Sequence, residues 1–264
     1  MTDEYLQRFS GLGRLYGNTA LQKLHDAHVC IVGVGGVGSW IVEALARSGI
    51  GTLTLVDLDD VCITNTNRQM PALTSTVGQP KISVLSARVR EINPECRIIE
   101  VPAFVSESNC DSILPNDAEV LIDAVDRMSI KAAIIAWAHR ARVPVITCGS
   151  AGGRIDSLAI KCADLGMTGH DPLLQQVRKK LRQDHGYPKS TDGRALPLDV
   201  VAIYSTEHPR FPLPDGSCSL QKPAGQETGV RLDCSAGFGA ATHVTGAFGF
   251  AAAAEVLKKL VGTT

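Results

Sequence analysis

Two hydrophobic periods alternate along this chain. Residues 28–32 (His-Val-Cys-Ile-Val) and 53–56 are short apolar runs, and between them residues 39–47 place apolar side chains at helical spacing. Runs of four or five apolar residues predict buried strands, and the spacing of the intervening stretch predicts an amphipathic helix. The alternation then repeats. A helix is expected over 78–92, with Pro80 in its first turn and Ile82, Leu85, Val89 and Ile92 on its buried face. A strand follows at 97–101, a short helix within 106–114 and a strand at 119–123. Ser129 is placed to cap a helix running to residue 141, and 143–148 is a further strand. The order β-α-β-α-β-α-β-α-β predicts an α/β fold with a Rossmann-like, doubly wound, mainly parallel sheet.

The flanks are less regular. Residues 2–27 read as an N-terminal helical arm that Gly11, Gly13 and Gly17 break. Beyond Arg154 an extended pair is expected over 154–163, and Asp171-Pro172 caps and opens a helix carrying Arg178, Lys179, Lys180 and Arg182. A strand is expected at 200–205, a Pro- and Gly-rich mobile loop at 209–229, and a long closing helix at 240–260. Together these form an antiparallel C-terminal extension. The expectation is one domain over 1–264, with a nucleotide-binding core at 28–153 and a substrate-facing extension at 154–264.

Composition narrows the setting. The chain has 264 residues, is 44% hydrophobic and carries a formal charge of −1, so a nucleic-acid partner needs a local basic patch rather than a global field. The first ten residues show no signal or transit pattern, and the eight cysteines form no Cys-x-x-Cys, which points to a reducing cytoplasm with free thiols. Residues 235–254 contain no Asp, Glu, Lys or Arg, a length that matches a membrane span and would be flagged by hydropathy. Their side chains are mostly those of Gly, Ala, Ser and Thr, with His243 among them, which suits close packing in a buried helix better than lipid.

The chemistry is concentrated behind the first strand. Gly33-Val-Gly35-Gly36-Val-Gly38 stands between strand and helix, and Asp57 ends the second strand. Gly33 allows the sharp turn, Gly35 admits a phosphate close to the backbone, and Gly38 lets helix pack on strand. The helix N-terminus offers N–H groups to an anion, and a carboxylate at Asp57 can accept from ribose hydroxyls. This pattern specifies a nucleotide without saying which one. A second set, Asn65-Thr-Asn67-Arg68-Gln69, Lys81, Asp123 and Asp126, should fall at the same sheet edge. Each alone reads as a solvated charge. Together, cations that neutralise phosphates and carboxylates that hold Mg²⁺ suit phosphate chemistry better than hydride transfer.

These motifs, taken together, resemble the ubiquitin-activating-type, ThiF-like adenylyltransferase superfamily over nearly the whole chain. The resemblance is strongest to its tRNA threonylcarbamoyladenosine dehydratase branch. It is carried by Arg14-Leu-Tyr-Gly17, Val61-Cys-Ile-Thr-Asn-Thr-Asn-Arg68, Ile92-Asn-Pro-Glu-Cys-Arg97, Tyr204-Ser-Thr-Glu207 and Asp233-Cys-Ser-Ala-Gly-Phe-Gly-Ala-Ala-Thr242. The resemblance implies an ATP-dependent, AMP-forming, ligase-type enzyme. The carboxylate of the threonylcarbamoyl group on a tRNA adenosine would attack the α-phosphate, and an internal nucleophile would then close a ring with net loss of water.

It also implies residue roles. Gly33, Gly35, Gly36, Gly38, Asp57, Asp59, Asn67 and Gln69 would bind the nucleotide. Arg68 and Lys81 would stabilise charge on the phosphates, and Asp126 would hold Mg²⁺. Arg14, or failing it Arg8, would reach the phosphates of a partner subunit in a homodimer. The basic helix around Arg178 is either a solvated face or a tRNA contact. Cys234 is a candidate sulfur acceptor from a cysteine desulfurase or a sulfur-acceptor protein, with Cys218 a weaker one; a buried thiol is the plain reading. Zinc is not expected, since the paired Cys-x-x-Cys of relatives that activate ubiquitin-like sulfur carriers is missing. DNA is not an expected partner, and the reading leaves room for a monovalent cation. The competing functions are adenylation of a sulfur-carrier C-terminus, a sulfur relay through Cys234, and a nicotinamide dehydrogenase. The last gives Arg68 and Lys81 no purpose.

Overall fold

A computed structural model describes residues 1–189, 194–221 and 238–262. Its strands are β1 (His28–Val32), β2 (Thr52–Val56), β3 (Arg97–Val101), β4 (Val120–Asp123), β5 (Val145–Cys148), β6 (Ile160–Asp164), β7 (Val201–Ser205), β8 (Phe211–Pro212) and β9 (Cys218–Ser219). Its helices are α1 (Asp3–Tyr16), α2 (Asn18–Asp26), α3 (Gly38–Arg47), α4 (Lys81–Ile92), α5 (Cys110–Ile113), α6 (Met128–Ala141), α7 (Pro172–Asp184) and α8 (Thr242–Val261).

Seven strands form one sheet in the order β3-β2-β1-β4-β5-β7-β6. All neighbours are parallel except β6, which runs antiparallel to β7. The expected mainly parallel sheet with an antiparallel extension is therefore observed. Side chains alternate across β1: Val29 and Ile31 join a core with α3, α4 and α8, while Cys30 and Val32 join one with α5 and α6. Burial on both faces explains why β1 reads as an unbroken apolar run. The chain leaves β1 toward β2 on one side and reaches β4 on the other, so a crevice opens between β1 and β4 at their carboxyl ends. Open α/β sheets bind ligands at such a switch point.

The low-charge stretch at the C-terminus becomes α8, and no described helix is long and apolar enough to cross a membrane. Its small residues permit close approach to α3. A Cβ on Gly249 would stand 2.7 Å from Cβ of Trp40 and 3.0 Å from the Val37 carbonyl oxygen.

Four expectations need correction. Gly11 and Gly13 do not break the arm; α1 runs through both to Tyr16. Gly13 instead admits α2, because a Cβ there would meet Asn18 Oδ1 at 2.9 Å. The break falls at Gly17, whose φ of 90° favours glycine. Ser129 is not a cap: α6 starts one residue before it, and its N-cap residue, Arg127, makes no side-chain cap bond. The pair expected over 154–163 is a single strand, β6, preceded by a short 3₁₀ turn at Ser157–Ala159. Within 209–229 the chain is not loop throughout, since β8 and β9 form an antiparallel hairpin; residues 222–229 lie outside the described residues.

Candidate nucleotide site

The glycine turn hooks over the end of β2. Gly33, at φ 83°, donates its N–H to the Val56 carbonyl at 2.9 Å. A Cβ on Gly38 would stand 1.9 Å from the Gly33 carbonyl oxygen, so only glycine lets α3 start against the turn. The N–H groups of Gly35, Gly36 and Val37 have no acceptor among the described residues. No side chain caps α3. Unpaired N–H groups at a helix start form a ready anion site.

Asp57 is fixed beside this turn. Its Oδ2 accepts the Val34 N–H at 2.8 Å and its Oδ1 accepts the Asp59 N–H at 2.8 Å. Each oxygen has a second acceptor site left for a ligand hydroxyl. Asp59 in turn accepts from Lys81 Nζ at 2.8 Å, and Lys81 is buried at the first turn of α4. A lysine at a helix N-terminus opposes the helix dipole, and a bound anion would relieve that conflict.

The loop between β2 and α4 supplies the opposite wall. Arg68 Nη1 donates to the Thr64 carbonyl at 2.7 Å and to Asn67 Oδ1 at 3.0 Å. The Arg68 carbonyl accepts from Trp40 Nε1 at 3.2 Å and from Thr245 Oγ1 at 3.1 Å. Asn67 Nδ2 donates to the Ala240 carbonyl at 2.7 Å. Gln69 is buried, with its Oε1 left without a partner, and its Nε2 would lie 3.6 Å from a Cβ on Gly35. The corresponding position on Gly36 is 3.9 Å from Arg68 Cγ. Turn, Asp57, Asp59, Lys81 and the segment Asn67-Arg68-Gln69 thus meet at one sheet edge, as the sequence predicts.

The two acids after β4 separate. Asp123 is fully buried and paired with Lys131 Nζ at 2.8 Å, with Thr147 Oγ1 donating to the same oxygen at 2.6 Å. Its other oxygen accepts the Val125 N–H at 3.2 Å. Asp123 is therefore consumed by the protein. Asp126 is exposed and makes no hydrogen bond or ion pair among the described residues, where no cluster of three potential metal-ligating side chains exists. The intervening Ala124 backs the glycine turn, its carbonyl 3.1 Å from a Cβ position on Gly33.

The sequence reading did not find Lys131, Thr147, Trp40 or Thr245. Lys131 had a signal: it is the one charge within the apolar run Ile130-Lys-Ala-Ala-Ile-Ile-Ala-Trp137. Trp40 and Thr245 had none, because their contact with Arg68 spans distant parts of the chain.

Neither arm arginine touches this site. Arg8 pairs with Glu4 at 2.7 Å and also donates to the Glu91 and Ile92 carbonyls, at the far end of α4. Among the described residues, the Arg14 side chain bonds only to Ser10 Oγ, at 3.4 Å. On α7, Lys180 pairs with Asp184 at 2.6 Å, Arg182 donates to the Pro188 carbonyl at 3.1 Å, and Arg178 donates to Thr168 Oγ1. Cys234 lies outside the described residues, and Cys218 is exposed on the small hairpin. Burial pushes the Cys148 thiol up to about 12, so its thiolate is scarce near neutral pH.

The chain matches known proteins along its whole length. The ThiF family profile matches residues 9–264. A tRNA threonylcarbamoyladenosine dehydratase of Escherichia coli (strain K12) is 47% identical, over 99% of this chain and 96% of its own. The protein of that name from Haemophilus influenzae is 46% identical, over 98% of this chain and 95% of its own. A crystal structure of the E. coli tRNA N6-threonylcarbamoyladenosine dehydratase in complex with ATP superposes with a TM-score of 0.86 at 44% identity, covering 99% of this chain and 96% of that one. The chain belongs to the ThiF family, and within it to the branch of the tRNA threonylcarbamoyladenosine dehydratases.

Proposed function

We propose that this protein is an ATP-dependent, AMP-forming dehydratase that cyclises N6-threonylcarbamoyladenosine in tRNA. The observation that carries the reading is the meeting of unpaired turn N–H groups with Arg68 and Lys81 at one crevice. That arrangement fits a triphosphate, and a dinucleotide would not need the second cation. A carboxylate is a poor acyl donor until one of its oxygens becomes part of a good leaving group. In the first step that oxygen bonds to the α-phosphorus of ATP and pyrophosphate departs. In the second, an internal nucleophile of the same modified group bonds to the acyl carbon and AMP departs. Proximity drives the closure, so no enzyme thiol is needed.

In this reading Asp57 accepts the ribose hydroxyls, with Asp59 holding Lys81 in place. Gly35 and Gly36 present N–H groups to the phosphates, Gly33 and Gly38 shape the turn, and Asn67 and Gln69 position ribose or phosphate. Arg68 and Lys81 stabilise the charge that develops as pyrophosphate leaves. Asp126 fits a Mg²⁺ ligand because its carboxylate is exposed and unbonded while Asp123 is spent on Lys131. Mg²⁺ typically takes one or two carboxylates and completes its shell with phosphates and water; when bound, it would neutralise phosphate charge. The active unit is a homodimer working in the cytoplasm, with Arg14 acting on the partner's nucleotide. Residues 1–264 form one catalytic unit, with 28–153 holding the nucleotide and 154–264 facing the tRNA.

The test is incubation with ATP, Mg²⁺ and tRNA carrying the linear modification, followed by nucleoside mass analysis. The expected result is loss of one water mass with stoichiometric AMP. Arg68→Ala and Lys81→Ala should each lower kcat by roughly 10²- to 10³-fold, the usual effect of removing a donor to developing charge. Unchanged nucleoside with active ATP binding would refute the reading.

A further inference from the structure

The crevice wall beyond β5 carries a cation that the reaction above does not use. Arg210 immediately precedes β8. Its N–H donates to the Gly153 carbonyl at 2.7 Å, and the Gly153 N–H donates to the Gly239 carbonyl at 2.7 Å. One residue further, the Ala240 carbonyl accepts from Asn67 Nδ2 at 2.7 Å. Three hydrogen bonds therefore connect the Arg210 backbone to the residue beside Arg68. The join is tight: a Cβ on Gly153 would lie 2.8 Å from the Phe238 ring and 3.0 Å from the Arg210 carbonyl oxygen.

The Arg210 guanidinium has no ion pair or hydrogen bond among the described residues, and its Nε is buried without a partner. Neighbouring acids are already engaged. The Glu207 carboxylate accepts the N–H groups of Ile155 at 3.0 Å and Asp156 at 2.9 Å. Asp171 accepts from Ser150 at 2.9 Å and Leu174 at 3.0 Å, and faces the buried Arg154 at 3.4 Å. Two residues before Arg210, the His208 ring meets His170 edge-on with centroids 4.7 Å apart, and no carboxylate pairs with either ring among the described residues. His170 is held at φ 57°, a conformation uncommon for a residue with a side chain. Buried donors in native proteins usually have partners, so an unpaired one beside a ligand crevice points to an acceptor that arrives with the ligand.

An anion suits that place best, because the planar fork of a guanidinium matches the paired oxygens of a phosphate or carboxylate. The ATP phosphates are served by the glycine turn, Arg68 and Lys81 across the crevice. Arg210 belongs to the segment 154–264 that the proposed function turns toward the tRNA, and every nucleotide of that substrate carries a phosphate. We propose that Arg210, flanked by the His170–His208 pair, grips a backbone phosphate of the RNA substrate next to the nucleoside being modified. This rests on the tRNA reading above.

The experiment uses the full-length protein as purified, first confirming that the wild type dehydrates modified tRNA. Failure there would sink the functional reading rather than this assignment. Affinity for tRNA is then measured across a salt series for wild type, Arg210→Gln and Arg210→Lys, with ATP affinity measured beside it. Arg210→Gln should weaken tRNA binding roughly fivefold to tenfold and flatten the salt slope by about one unit, with Arg210→Lys between it and wild type. ATP affinity should not move. Wild-type tRNA affinity and salt slope in Arg210→Gln, or an equal loss of ATP affinity, would overturn the assignment. A second measurement needs no variant. Wild-type protein is treated with an arginine-selective dicarbonyl, and labelling at Arg210 is read by peptide mass. Protection by tRNA and none by ATP is expected; equal labelling with and without tRNA overturns the proposal.

Discussion

Lys131 is fully committed inside the protein near the crevice. Its ammonium spends all three donors inside the protein: on Asp123 Oδ2 at 2.8 Å, on Thr147 Oγ1 at 3.2 Å and on the Asp123 carbonyl at 3.4 Å. Both charges are fully buried. Such a pair adds little net stability over an apolar pair, but removing one partner strands the other in a low dielectric. Lys131→Met should therefore lower unfolding stability by about 3–5 kcal/mol in urea titration. Adding Asp123→Asn should recover much of that loss, since the amide oxygen still accepts from Val125. A Lys131→Met protein with the wild-type urea midpoint would show that the pair does not hold this loop. The residue scale also divides what the sequence could disclose. Gly33, Gly38, Asp57 and Lys81 were legible because their chemistry and their placement at strand or helix ends are local. Asp123 and Asp126 looked alike, and only packing told the neutralised acid from the unbonded one. Trp40 and Thr245 hold the Arg68 carbonyl from 28 and 177 residues away, a separation no local pattern encodes.

At the scale of elements, apolar periodicity located the strands and helices of the core because each buries its own repeating face. It failed where a residue answers to a neighbouring element. Gly13 looked like a helix breaker and is a contact with α2. The basic face of α7 read as either a solvated face or a tRNA contact, and the local partners of Arg178, Lys180 and Arg182 leave both readings open. The α3–α4 contact shows how charge can join two helices. Glu43 of α3 is buried and accepts from Arg88 of α4 at 2.6 and 2.9 Å, and from Arg47 at 2.7 Å. Burial pushes its carboxyl up, but the bonds from Arg88 and Arg47 outweigh this and hold it below the usual carboxylate range. A carboxyl with a depressed folded pKa contributes stability above its unfolded pKa and loses it as pH falls through the folded value. Glu43→Gln should thus be less stable than wild type at neutral pH, and the gap should close below about pH 4. Urea midpoints of both proteins between neutral pH and pH 3 would check this. A gap that stays constant across that range would mean that the ionised pair does not join the helices.

For the whole molecule, the arm and the crevice raise a question of reach. Arg8 is tied to the carboxyl end of α4, while the glycine turn and Lys81 gather at the opposite end of that helix. Among the described residues, the Arg14 side chain bonds to nothing beyond its own helix. If Arg14 serves a nucleotide in the proposed homodimer, that nucleotide is the partner's, and each site is then composed of two chains. An isologous dimer of this kind permits complementation. Arg14→Ala and Arg68→Ala would each be inactive alone, since every site in either homodimer lacks one group. Mixed and allowed to exchange subunits, they form heterodimers in which one site carries both lesions and the other carries neither. Equal amounts should recover roughly a quarter of wild-type activity, because about half the dimers are mixed and half the sites in them are intact. A mixture no more active than its components, with exchange verified by tagged subunits, would place Arg14 outside the partner's site. Activity recovered in the mixture would show that the arm completes a crevice it cannot reach within its own chain.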